Sequence, residues 1–371
     1  MFKGFFLLWL KFIISNVTNL IGWWKYMEYI NDININEAVI HILDSNGEEP
    51  VLNEYSLELD EDIHKFLYRH IEKCLNDDEL KYARFNPERN IVKEVVQDYL
   101  NGIDSDLINL SKELARQLFI IMKGNVNIPA GDLIIVSIST DQGPMIGILK
   151  MDYVKNFTHE IQFVDQKIGI GIVPQVAGLP GSGQKIQKAA FLKPIREDEK
   201  YNLMILDKQK SSKEDEYGAN YFINTFLGAS IITNERDMTK TFVKAAENWT
   251  RKNITEDAGK AEEIRTAIKT KLKEEDTINI DLFSEELFNE QPQVKEDFSN
   301  YIKQQGLNEE VAVDKTWVDK KLKRVRLNID KQIDLYINED TYHDSSKFEI
   351  QRNGDGTINM IVKNVMNYIE K

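Results

Sequence analysis

The densest positive charge in the chain is the run from Lys320 to Arg326, KKLKRVR. It sits in a sequence with Lys+Arg 47 against Asp+Glu 61 and a formal net charge of −14. Read as a strand, the run points Val325, Leu327 and Ile329 one way and Arg324, Arg326 and Asn328 the other. Lys320, Lys321 and Lys323 thicken the charge, and Trp317 is close by. Cations clustered in this way suit contact with a phosphate backbone, which Lys and Arg neutralise without regard to base sequence. They equally suit a solvated strand face balanced by Asp314, Asp319 and Asp330. Lys240, Lys244, Arg251 and Lys252 form a weaker group, since Glu247 shares their helix.

The glycine-rich run Gly178 to Lys185 (GLPGSGQK) invites comparison with a nucleotide phosphate loop, G-x-x-x-x-G-K-[ST]. Gly178 and Gly183 have the spacing, but Gln184 stands where the lysine must be, and Lys185 is followed by Ile186 in place of a hydroxyl. The run reads better as a flexible loop whose Lys185, with Lys188 just beyond it, could meet a phosphate backbone. The five histidines, His41, His64, His70, His159 and His343, form no H-E-x-x-H and have no cysteine at ligand spacing. Asp207 and Lys208 after a strand suggest a nuclease only weakly, because many strand ends carry such a pair. No catalytic residue, cofactor site or metal site is expected from these patterns.

The charge balance argues against a uniformly basic coat, so any phosphate contact must come from a local patch. The single cysteine, Cys74, excludes a disulfide framework within the chain and fits a reducing cytoplasm. It shares a helix face with Ile63, Phe66, Leu67, His70 and Ile71, and reads as a buried structural thiol.

These groups have to be positioned by a chain too long for one core, so two domains are expected. Leu133–Ile138 and Met145–Leu149 are apolar runs joined by Asp141, Gln142 and Gly143, which predicts a β-hairpin inside a sheet covered on both faces. Ile33–Leu43, Ile161–Asp165, Ile168–Val173, Ala189–Leu192 and Leu203–Leu206 add strand signals. Helical spacing predicts Asp60–Leu75 and Ser105–Met122, the latter capped by Asp104 or Ser105 with Asp106 in its first turn. Gln209 to Asp215 is a polar loop, and Tyr221–Leu227 an apolar element set against the sheet. Beyond Thr233 charges and helical spacing take over, with helices around Met238–Trp249, Ala261–Leu272 and Val294–Gln305, the last stopped by Gly306. Lys323–Ile329, Ile333–Ile337, Phe348–Arg352 and Thr357–Val362 predict a small antiparallel set.

The expected fold class is therefore α+β. Residues 27–232 form a domain with a mixed, mainly antiparallel sheet flanked by helices, and residues 233–371 a domain of helices followed by a small antiparallel sheet. Residues 1–26 stand apart: apolar, with Lys3, Lys11 and two closing tryptophans. No small-residue cleavage site marks them as a secretory signal. They have the length of a membrane anchor but are broken by Lys11, Asn16, Thr18 and Asn19, and the alternative is a biological start at Met27. Contact with a membrane is expected only on the anchor reading.

Several longer stretches resemble the bacterial nucleoid-associated protein family of NdpA, also called YejK. They are INEAVIHILD at Ile35–Asp44, the strand pair DLIIVSIS and GILKMDY, NFTHEI from Asn156, YFINTFLGA from Tyr221, and the closing FEIQRNGDGTINMIVKN from Phe348. The resemblance runs from about residue 33 to the C-terminus and is one of order and pattern, with no short catalytic motif. It implies a cytoplasmic, nucleoid-located protein that binds double-stranded DNA and is not an enzyme, with type II topoisomerases as possible partners. It carries over no residue-level DNA site. The strip Lys320, Lys321, Lys323, Arg324 and Arg326, with Lys185 and Lys188, is read from the residues themselves. The leading expectation is a homo-oligomeric DNA binder acting through backbone electrostatics. The alternatives are an acidic adaptor for a DNA enzyme such as a type II topoisomerase and, less favoured, a metal-dependent nuclease.

Overall fold

The computed structural model describes residues 29–125, 127–165, 167–181, 183–197, 199–208, 220–367 and 369. The expectations for residues 1–26 and for the loop from Gln209 to Asp215 lie outside these residues. The chain divides into two compact units, one of Glu28–Thr233 and one built on Asn234–Lys371.

In the first unit the elements run β1 (Ile33–Leu43), α1 (Glu61–Leu75), β2 (Lys81–Phe85), α2 (Ile91–Leu100), α3 (Leu107–Gly124), β3 (Gly131–Thr140) and β4 (Gly143–Asp152). They continue with β5 (Val154–Val164), β6 (Lys167–Gly178), β7 (Lys188–Leu192), β8 (Leu203–Asp207), a π-helical turn at Tyr221–Phe226 and β9 (Ala229–Ile232). Seven strands make one sheet in the order β1-β3-β4-β7-β8-β2-β9. Every described pairing in it is antiparallel, so the mixed character expected from sequence is absent among the described residues. The β3–β4 hairpin pairs Thr140 with Gly143, and Thr140 Oγ1 closes the turn by accepting from the Gln142 N–H at 3.1 Å. Asp132–Ile138 and Met145–Met151 are buried without a break. Successive strand residues face opposite ways, so unbroken burial means that both faces of the hairpin are covered. On one face Leu133, Ile135, Ile146, Ile148 and Ile205 pack with Leu114 and Leu118 of α3 and with Phe222 and Phe226 of the π-helical turn.

Local signals set the helix ends. Asp60 caps α1 by accepting from the Ile63 N–H at 2.8 Å. The cap of α3 is Asp106, which accepts from the N–H groups of Ile108 and Asn109, so the helix starts later than the sequence predicts. Asp104 instead accepts from the Asp106 N–H, one turn before the helix.

The main correction concerns β5 and β6. Sequence reading places both in the central sheet, yet they pair only with each other among the described residues, as a separate two-stranded ribbon. The reason lies in their patterning. Phe157, Ile161 and Phe163 alternate with Thr158, Glu160 and Gln162, so one face is polar and cannot enter a sheet buried on both sides.

In the second unit, α4 (Glu235–Asn253), α5 (Ala258–Glu274), β10 (Thr277–Asn279), α6 (Ile280–Phe288), α7 (Pro292–Lys303) and β11 (Glu310–Ala312) enclose an aromatic-rich core. Trp249 packs edge-on against Phe298 at 4.9 Å between ring centres, with Phe242, Phe283 and Phe288 around it. Then come α8 (Lys315–Lys321), the hairpin β12 (Arg324–Ile329) and β13 (Ile333–Asn338), α9 (Glu339–Tyr342), and the hairpin β14 (Phe348–Arg352) and β15 (Ile358–Val362). The small antiparallel set predicted here is two separate hairpins. Val325, Tyr342 and Phe348 form a small core, flanked by Leu327, Ile337, Ile350 and Met360.

Candidate nucleic-acid interface

The basic strip is placed by that small core. Val325 is buried and Leu327 half-buried beside Ile337, which turns the other face of β12 outward. Arg324, Arg326 and Asn328 alternate with them and are exposed, as the period-2 pattern predicts. Lys320 and Lys321 lie in the last turn of α8, and Lys323 precedes the strand; all three are exposed. A helix end and a strand start thus bring five cations to one short segment.

The hairpin register adds residues that the sequence alone did not reveal. Arg326 lies opposite Tyr336, and Arg324 opposite Asn338. Tyr336 is 64% exposed, with the Arg326 guanidinium 5.1 Å from its ring centre. The outward face therefore interleaves two arginines with an aromatic ring, a combination that can meet both phosphates and bases. The turn is tight: Asp330 and Lys331 both have positive φ, 49° and 60°, and the Gln332 N–H donates to Ile329 O at 3.0 Å. It leaves Lys331 exposed at the tip. Asp334 is the balancing carboxylate, 3.9 Å from Arg326 and accepting from the Asn328 amide at 3.0 Å. An exposed pair at that distance is worth little, so Arg326 can exchange Asp334 for a phosphate at small cost. The signal that could have found Tyr336 was the pairing of Arg326 across the three-residue loop Asp330, Lys331 and Gln332, whose length has to be known before the register can be read.

Of the two lysines expected near the glycine loop, Lys185 is exposed. Lys188 is not: it is drawn into the sheet, 2.6 Å from Asp207 and 4.7 Å from the Tyr221 ring centre. Its place in register between Lys150 of β4 and Asp207 of β8 fixes this inward direction, so it cannot meet a phosphate backbone. The glycine loop is itself pinned. Gln184 bonds back to Gly181 twice, accepting from its N–H at 2.7 Å, and Pro180 O lies 3.1 Å from His70 Nε2. The residue that replaces the lysine of a phosphate loop is thus used to close a turn.

Asp207 and Lys208 diverge. Asp207 pairs with Lys188, and Lys208 with Asp77. Burial pushes the Asp77 carboxyl up, but hydrogen bonds from Lys208 and the Glu79 N–H, with Lys185 adding charge, hold it below the usual carboxylate range. Among the described residues no three His, Cys, Asp or Glu side chains converge to hold a metal. His41 is buried, with Nδ1 accepting from the Asn53 N–H at 3.0 Å and Nε2 2.9 Å from Ser111 Oγ. Burial, with Lys112 and Arg116 nearby, lowers its pKa to about 4. The Cys74 thiol is buried and pushed up to about 12, as befits a structural side chain.

On α4, Glu247 takes Arg251 at 2.6 Å and Arg265 at 2.8 Å. Burial raises its carboxyl, but the two guanidinium groups outweigh this and hold it low. That removes Arg251 from the second basic group. A shallow depression of about 640 Å³ beside α2 is lined by Arg89, Lys93, Glu94, Gln97, Asp98 and Asn101. Arg89 pairs with Glu94 there and Gln97 bonds the backbone at Lys193 and Ile195, so charges of both signs neutralise each other.

The model of the family of nucleoid-associated protein YejK matches residues 39–370. The chain belongs to this family. The match begins within β1 and spans both units, so it includes the central sheet, the ribbon and the basic hairpin alike. No curated protein sequence matches the chain. No helix among the described residues is long and apolar enough to cross a membrane.

Proposed function

We propose that this family member acts at the nucleoid as a non-catalytic protein that binds double-stranded DNA, through backbone electrostatics with little base specificity. The observation that carries this is the outward face of β12–β13, where Arg324 and Arg326 flank Tyr336 and Lys320, Lys321 and Lys323 lead into the strand. A two-stranded ribbon has the width to enter a major groove, and cations at its root then reach the flanking phosphates. Asp334 and Asp330 toward the tip oppose deep insertion, which favours contact with the backbone. Lys185, in the other unit, is a separate candidate phosphate contact.

The test is duplex-DNA binding by the full chain, titrated across salt, with magnesium present and the DNA inspected for cutting. The expected result is intact DNA and a log affinity that falls linearly with log salt. Cut DNA would support the nuclease reading instead. A second reading has the net charge of −14 in its favour: an acidic adaptor docking on a basic partner such as a type II topoisomerase. Absence of binding at low salt, with retention of such a partner, would support it.

A further inference from the structure

We propose that the β5–β6 ribbon is a dimerisation arm whose apolar face packs against the same face of a second copy of this chain, about a two-fold axis. The register places Phe157 opposite Pro174, His159 opposite Ile172, Ile161 opposite Ile170, and Phe163 opposite Ile168. Directly paired residues share a face, so six large apolar side chains lie together. All six are exposed, from 56% at Ile161 to 79% at Ile172. The opposite face carries Thr158, Glu160 and Gln162 over Gly169, Gly171 and Val173, and is polar and flat. The ribbon is therefore amphipathic with its apolar side in water.

Such an arrangement is unstable alone. A two-stranded hairpin is marginal in water unless its apolar face is covered. Taking about 200 Å² for each fully exposed side chain of this size, the six present roughly 800 Å². That exceeds the roughly 300–600 Å² of the largest apolar patch on an ordinary monomer. It equals the ~800 Å² that each partner contributes to a standard stable interface. The occupant is selected by charge as well as by area. Residues 154–178 hold Lys155, Glu160, Asp165 and Lys167, a formal balance of zero within a chain of −14. Two copies can therefore approach here without the repulsion that acts elsewhere on their surfaces. DNA or an anionic membrane would need cations on this face, and among its described paired side chains, Phe157 to Phe163 and Ile168 to Pro174, the one ionisable group is His159. A two-fold arrangement needs only one kind of patch, and it sets the root of each arm, at Phe157, against the tip of the other, at Phe163 and Ile168. The axis then passes beside Ile161 and Ile170.

This inference is independent of the DNA reading, and its test reads oligomeric state without DNA. Sedimentation equilibrium on the full chain between about 1 and 100 µM is expected to show a dimer. Ile161→Asp with Ile170→Asp sets four carboxylates in the interface and is expected to raise the dissociation constant at least ~100-fold. Gln162→Asp, on the polar face, is expected to leave the dimer intact. Because Cys74 is buried, Ile161→Cys adds the one accessible thiol of the described residues, and mild oxidation is expected to yield a covalent dimer, whereas Gln162→Cys yields none. The cysteine result decides the matter should the aspartate pair fail to fold. A wild-type chain that is monomeric at the highest concentration overturns the proposal. So does a folded aspartate pair that still dimerises, or equal crosslinking through positions 161 and 162.

Discussion

Replacing Lys321, Arg324 and Arg326 together by Glu is the sharpest perturbation of the proposed DNA contact. All three side chains are exposed, and none contributes to the small core of Val325, Tyr342 and Phe348. The variant should therefore fold and melt within a few degrees of wild type. The hairpin and the end of α8 offer five cations: Lys320, Lys321, Lys323, Arg324 and Arg326. If each meets one phosphate, log affinity should fall with log salt at a slope of about −4.5. Affinity should then drop roughly 500-fold between about 50 and 200 mM salt. Each lost contact costs about eightfold at ~0.1 M salt, so three cost roughly 500-fold before any repulsion from the new carboxylates. The remaining slope should be near −1.8. Fluorescence anisotropy with a short labelled duplex, repeated at four salt concentrations, measures both quantities. A triple variant that binds within threefold of wild type and keeps its salt slope would refute the assignment of the strip.

Other expectations follow from the buried polar groups and the tightest packing. His41 is held neutral in the fold at a pKa of about 4 against 6.5 when unfolded. Its contribution to stability is complete above pH 6.5 and is lost as the pH falls toward 4, by about 3 kcal/mol in all. Urea melts of wild type and His41→Gln at pH 7 and pH 5 should show a shallower pH dependence for the variant. Asp207→Asn leaves Lys188 buried without its counter-charge, next to Lys150, and should cost about 3–5 kcal/mol. Lys188→Met combined with Asp207→Leu should recover most of that in the same denaturation assay. Gly147→Ala places a methyl 2.6 Å from Val136 Cγ2 and 3.3 Å from the Phe191 ring, where both neighbours are fully buried. A loss of about 1–3 kcal/mol is expected, and adding Val136→Ala should restore part of it.

The sequence by itself determined the elements and their faces. The unbroken apolar runs of β3 and β4 and the alternation of β12 are local patterns, because burial on two faces or one is written directly as residue type along a strand. The α+β class, the hairpin turn after Thr140 and the helix reaching to Leu75 followed in the same way. Tertiary structure alone decided which strands joined which sheet. The alternation in β5 and β6 turns one face to water, but their strand signals are as strong as those of β7 and β8 and pairing partners are non-local, so only the assembled sheet shows that these two pair with each other. It also decided the fate of the lysines. Lys185 and Lys188 are three residues apart and chemically alike, but the register beside Asp207 draws one inward and leaves the other in water. Tyr336 joined the basic strip only because the three-residue loop from Asp330 to Gln332 set it opposite Arg326. Residue type fixes what a side chain can do, and the pairing of distant segments fixes what it meets.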